Sequence, residues 1–138
     1  MSEVSNKETA RRAFEDVFTR GDYAAIPEIF SSNLVQHHPD EPYETRGQEG
    51  IRARITAYRT AFPDLTTTVE DCFGEGDRVA IRYMVRGTNS GEIMGMEPTG
   101  KSIAIEAEAI YRFESGRVAE IWDAWNVLSL MQQLGLAS

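Results

Sequence analysis

The chain has 138 residues, 41% of them apolar and 26% charged, and a formal net charge of −8. This is the composition of an ordinary folded protein, which excludes disordered and fibrous classes, and acidity without a basic stripe excludes a nucleic-acid binder. No apolar run approaches the roughly 20 residues that cross a bilayer, no secretory leader is visible, and Cys72 lacks an internal partner; one cytoplasmic domain over residues 1–138, without membrane contact, is expected.

Residues 6–20 carry Ala10, Ala13, Phe14, Val17 and Phe18 at helical spacing, with Ser5 or Asn6 as cap and Gly21 as stop. After Gly21-Asp22, residues 23–30 repeat the pattern with Ile26, Ile29 and Phe30 inward. Residues 34–38 read as a short strand closed by Pro39, which restricts its predecessor to extended backbone. Residues 39–47 are a loop, and Ile51, Ile55, Tyr58 and Phe62 mark a third helix over 47–62 that Pro63 ends. The character then changes. Residues 65–73, 78–88, 102–113 and 117–126 alternate and are rich in β-branched and aromatic side chains, with turns at 74–77 and 114–116 and a long middle loop. A last helix over 127–134 stops at Gly135. Helices first and antiparallel strands later is the α+β pattern, in which the helices cover one face of a sheet.

In the last strand, alternation puts Ala119, Ile121, Asp123 and Trp125 on one face. An ionised carboxylate in an apolar setting costs several kcal/mol unless it is paired or hydrogen-bonded, so Asp123 is the first candidate for chemistry. The competing reading is a solvated face or a pair with an Arg of the neighbouring strand. His37 and His38 are adjacent and point to opposite faces of their strand; they cannot share a metal, and one of them is a pocket wall or proton donor. Glu106, Glu108 and Arg112 share a strand face opposite the apolar Ile103, Ile105, Ala107, Ala109, Tyr111 and Phe113, which reads as a salt-bridged outer surface. Met84, Met94, Met96 and Met131 read mostly as core filler, with loop methionines suiting a hydrophobic ligand mouth. Residues 95–102, GMEPTGKS, fit the phosphate-loop expression G-x-x-x-x-G-K-[ST]. A strand pattern follows them, however, and a strand cannot aim helical N–H groups at phosphate.

The segments VQHHP (35–39), RG (46–47), AFPDL (61–65), GDRVA (76–80), RGT (86–88), GEIMGMEPTG (91–100), EIWD (120–123) and QLG (133–135) together resemble the SnoaL-like polyketide cyclases of the nuclear-transport-factor-2-like superfamily. The resemblance implies a cone-shaped α+β domain, with N-terminal helices packed on a curved, mainly antiparallel sheet around a cavity. It also implies a homodimer through the sheets, no metal and no organic cofactor. The family's acid/base Asp for aldol closure falls on Asp123, and a second family residue, a His on the preceding strand, falls on Ala109. The WD-x-x-N ending (Trp122, Asp123, Asn126) and the 91–100 loop are similar to the family's hydroxylase branch.

The candidate catalytic residues are therefore Asp123, His37 and His38. Gln36, Tyr58, Phe62, Met94, Trp125 and Asn126 are the candidate contacts to a hydrophobic small molecule. Three readings stay open: aldol-type acid/base chemistry, cofactor-independent hydroxylation, and binding without turnover.

Overall fold

The structure is a computed structural model that describes residues 3–39, 41–93 and 95–138. Helix α1 (Glu3–Arg12) continues as a π-helical stretch, Ala13–Thr19, and together they bury Ala10, Ala13, Phe14, Val17 and Phe18. The helix begins before Asn6, whose side chain is buried within it rather than capping it. Carbonyls at the end of the π-helical stretch are taken from a distance: Arg59 Nη1 donates to the Phe18 and Thr19 oxygens, both at 2.7 Å. Gly21 stops the helix with φ 71°, and a Cβ there would sit 2.9 Å from Arg59 Nε. A 3-10 turn (Tyr23–Ala25) and the short α2 (Ile26–Ile29) follow.

The sheet runs β2-β1-β6-β5-β4-β3, with β1 (Phe30–His37), β2 (Thr45–Arg46), β3 (Thr66–Glu75), β4 (Arg78–Thr88), β5 (Ser102–Glu114) and β6 (Arg117–Trp125). All neighbours are antiparallel except β1 and β6, which run parallel with His37 beside Trp122. That parallel contact joins the N-terminal half to the hairpin sheet. At the β5–β6 turn both Ser115 (φ 51°) and Gly116 (φ 80°) are left-handed, the geometry of a tight hairpin that matches strand twist.

Helix α3 (Gly47–Ala61) lays Ile51, Ile55 and Ala61 on the sheet, and α4 (Val127–Gln133) docks where β6 has ended. There the Gln133 amide takes the place of a strand, accepting from Ala104 N at 2.7 Å and donating to Ala104 O at 3.0 Å. The core is continuous between the helices and the inner sheet face, and includes Val79, Ile81, Tyr83, Ile105, Tyr111 and Ile121. The methionine expectation needs correction: Met96 is exposed, and Met84 alternates with the buried Tyr83 and Val85 on the other face of β4. Met94 lies outside the described residues.

Two register breaks shape the faces. In β6, Arg112 opposes Glu120 while Phe113 opposes Val118, so Ala119 is the extra residue of a bulge and both Val118 and Ala119 are buried. In β3, Val69 opposes Tyr83 and Asp71 opposes Arg82, which leaves Glu70 as the extra residue. After that bulge Cys72 turns inward and Phe73 outward, to 69% exposure.

Candidate active site

Beyond its bulge, β6 directs Ile121, Asp123 and Trp125 to the helical side. The Asp123 carboxylate is largely buried there. The strand position directly opposite is Ala109, whose methyl group leaves the carboxylate uncrowded on that side. The end of β1 supplies His38, 3% exposed, with Nδ1 3.3 Å from Asp123 Oδ1 and 3.6 Å from Glu41 Oε2. Its Nε2 lies 3.0 Å from the Thr45 hydroxyl. The His38–Asp123 approach is within ion-pair range but not aligned as a hydrogen bond. Asp123 Oδ1 is thus buried with no hydrogen-bond partner among the described residues, a costly condition for a carboxylate oxygen.

Helix α3 closes the other side. Arg54 and Tyr58 are one turn apart and share a face. Tyr58 stacks on Trp125 with ring centroids 4.7 Å apart, and Trp125 Nε1 donates to the Tyr83 hydroxyl at 2.9 Å. Arg54 reaches Glu41 with both terminal nitrogens, at 2.6 and 3.3 Å, and lies over the Tyr58 ring. Its Nε is buried and has no hydrogen-bond partner among the described residues. Gln36, 3% exposed on the inner side of β1, likewise has an unpartnered Oε1.

The electrostatics follow from this crowding. Burial pushes the Tyr58 phenol up to about 12, and the charges of Asp123 and Glu41 add to what the Arg54 cation opposes. Burial first, and then the Asp123 charge, hold Tyr83 and Tyr111 well above the ordinary phenol range. All three phenols therefore remain protonated and available as donors. Burial disfavours the Arg54 cation, but the hydrogen bonds it donates to Glu41 and the charges of Tyr58, Glu41 and Asp123 outweigh it and raise its pKa. The hydrogen bond from Arg54 in turn holds the Glu41 carboxyl below its ordinary value.

Of the residues expected from sequence, Asp123, His38, Tyr58 and Trp125 come together, with Gln36 on the same side of the sheet. His37, Asn126 and Phe62 do not join them, and Met94 lies outside the described residues. His37 lies on the outer face between Glu44 (2.8 Å) and Glu120 (2.6 Å), stacked on Trp122. Asn126 caps α4 by accepting from Ser129 N at 3.0 Å. Phe62 is a core residue, 1% exposed. Glu41, Arg54, Tyr83 and Tyr111 were missed. A signal existed for Arg54, which falls at helical spacing with the buried Ile51 and Ile55 and the half-buried Tyr58 and is thus a cation on an apolar face.

A cleft of about 650 Å³ lies elsewhere, on the outer face over Phe73, Ala80, Ile110 and Trp122. It also touches His38 and Asp123, so a single sheet separates it from the polar cluster. Two of the cations in and beside it are paired: Arg82 with Asp71 (2.7 Å) and Glu106 (3.0 Å), and Arg112 with Glu120 (3.0 Å). The unpaired buried atoms lie on the other side, which makes the inner cluster the stronger candidate for chemistry. Residues 95–102 lead into β5 and not into a helix, so the phosphate-loop geometry is not formed.

Three similarities bear on this arrangement. Over 111 residues the chain is 26% identical to the aklanonic acid methyl ester cyclase DauD of Streptomyces sp. strain C5, a match covering 80% of this chain and 66%, just under two thirds, of that protein. It is 30% identical to AclR of Streptomyces galilaeus, a candidate hydroxylase, with a TM-score of 0.86 and 99% and 100% of the two chains covered. It is also 30% identical to IdmH of Streptomyces antibioticus, a candidate polyketide cyclase, with a TM-score of 0.82 and 94% and 98% covered. The architecture is that of the nuclear-transport-factor-2-like fold. Residues 8–134 match the SnoaL-like polyketide cyclase family, and the chain belongs to it.

Proposed function

We propose that this protein is a cyclase-type acid/base enzyme acting on a hydrophobic, polyketide-like molecule, with Asp123 as the base. The observation that carries this reading is the buried Asp123 Oδ1, without a hydrogen-bond partner among the described residues and set beside His38 Nδ1 and three protonated phenols. Asp123 takes a proton from the carbon next to a substrate carbonyl: the C–H bond breaks, an O–H bond forms on the carboxylate, and the electron pair moves onto the carbonyl oxygen. The enolate carbon then closes on a second carbonyl in the aldol step, and protonated Asp123 returns the proton to the new alkoxide. His38 orients the carboxylate, and the Tyr58–Trp125 stack offers a flat apolar wall.

The test uses anthrone, a tricyclic ketone with an acidic methylene. Exchange of its methylene protons in D2O, followed by NMR, is expected with the wild type. With Asp123→Asn the rate should fall by about 10²- to 10⁴-fold, the usual worth of a positioned base. Wild-type exchange at the buffer rate would sink the reading and favour binding without turnover. A cofactor-independent hydroxylase is the second reading, supported by the similarity to AclR. It uses the same carbanion and predicts oxygen consumption during turnover, where the cyclase predicts none.

A homodimer through the outer sheet face is part of the proposal. Phe73 and Ile110 are exposed there beside the cleft, 69% and 42% respectively, and a second copy would cover them with an equivalent, self-complementary surface.

A further inference from the structure

We infer that Arg54 is a second catalytic residue, the hydrogen-bond donor that receives the substrate's carbonyl oxygen as charge develops on it; this rests on the reading of Asp123 as base. Two buried atoms of opposite kind in one cluster, the Nε–H donor of Arg54 and the Oδ1 acceptor of Asp123, have no hydrogen-bond partner among the described residues. Each leaves a hydrogen bond unmade in a setting where that is costly, and they do not satisfy one another. A ligand presenting an acceptor and an acidic hydrogen together satisfies both, and an enolisable carbonyl compound is such a ligand.

The surroundings suit the role. Both terminal nitrogens of Arg54 are held by Glu41, at 2.6 and 3.3 Å, which fixes the guanidinium plane, and its cation lies over the Tyr58 ring with 5.4 Å to the centroid. The donor is therefore positioned before substrate arrives, as electrostatic stabilisation of a developing oxyanion requires. When Asp123 takes the proton, negative charge leaves the carboxylate and appears on the substrate oxygen. A cation already balanced against Asp123 can follow that charge without reorganisation.

The experiment compares anthrone with dihydroanthracene, a tricycle of similar shape that lacks the oxygen, by tryptophan fluorescence quenching. The variants are Arg54→Lys, which keeps the charge against Glu41 but removes the Nε–H, and Arg54→Gln. The wild type is expected to prefer anthrone by about ten- to a hundredfold, the worth of a hydrogen bond from a charged donor. Both variants should lose the preference while still binding the hydrocarbon, and methylene exchange should slow by about 10²-fold or more. Hydrocarbon binding serves as the internal check on folding. An unchanged preference in Arg54→Lys, or no preference in the wild type, overturns the inference. If Asp123→Asn abolishes exchange while Arg54→Lys does not slow it, the base stands and the donor falls. If the wild type neither binds anthrone nor exchanges its protons, both fall.

Discussion

Asp123 sits where an ionised carboxylate is costly, and it is tolerated because the groups around it divide the charge. His38 faces it, Arg54 lies across the cluster, and three phenols stay protonated against it. Glu41 is the member whose titration is easiest to follow. Its carboxyl is held below its ordinary 4.5, first by the hydrogen bond from Arg54. A carboxyl depressed in the folded state contributes stability that is complete above the unfolded value and is lost as pH falls through the folded one. Glu41→Gln should therefore lower the melting temperature near neutrality and flatten the acid side of its pH profile. A variant whose profile stays parallel to the wild type down to acid pH would remove Glu41 from that linkage.

At the scale of the element, the Asn89 side chain ties down the base of the long β4–β5 connection. Asn89 is fully buried; its amide donates to Ala61 O (3.1 Å) and Gly91 O (2.8 Å), and its oxygen accepts from Thr99 N (2.8 Å) and the Thr99 hydroxyl (3.0 Å). All four capacities of the side chain are used, and they join the loop to the end of α3. Gly91 completes the joint, since a Cβ there would collide with the Thr60 carbonyl. Asn89→Ala strands several buried groups at about 1–3 kcal/mol each, so the urea midpoint should fall markedly. Because α3 also carries Arg54 and Tyr58, anthrone exchange should fall with it even in the fraction that remains folded. A midpoint within error of the wild type would show the loop to be held by other contacts.

For the whole molecule, the sheet divides two chemistries. The helical side holds the core and the unpaired polar atoms, and the outer side holds paired charges and exposed apolar groups. If a second copy covers the outer side, Phe73→Glu puts a charge into that contact and should convert a dimer to a monomer in light scattering while leaving the fold intact. Phe73 points outward, so its replacement opens no core cavity. A wild type that scatters as a monomer, or a dimeric Phe73→Glu, would refute the assignment of this face. Among the described residues no helix is long and apolar enough to cross a membrane.

Local pattern was enough for most elements, but it ran the second helix through Phe30, which begins β1 four residues before the expected strand, and it left the short β2 inside a loop, because a two-residue strand has no period to read. Period-two alternation predicted β4 over residues 78–88, as observed, and helical spacing with Pro63 as stop predicted α3 to within one residue. The same alternation, with the cost of a buried charge, singled out Asp123, and the adjacency of His37 and His38 required that only one of them face inward. What only the tertiary structure decided lies beyond the reach of a repeat. A one-residue bulge carries no sequence period, yet the one in β3 turns Phe73 from the inner face to the outer. The parallel pairing of β1 with β6 selected His38 over His37 as the neighbour of Asp123. The remaining members, Glu41, Arg54, Tyr83 and Tyr111, lie in a loop, a helix and two strands, and nothing in their separate neighbourhoods links them. Their meeting is a consequence of packing α3 onto the curved sheet, since a polar cluster is a property of distances in space and only the folded chain sets those distances.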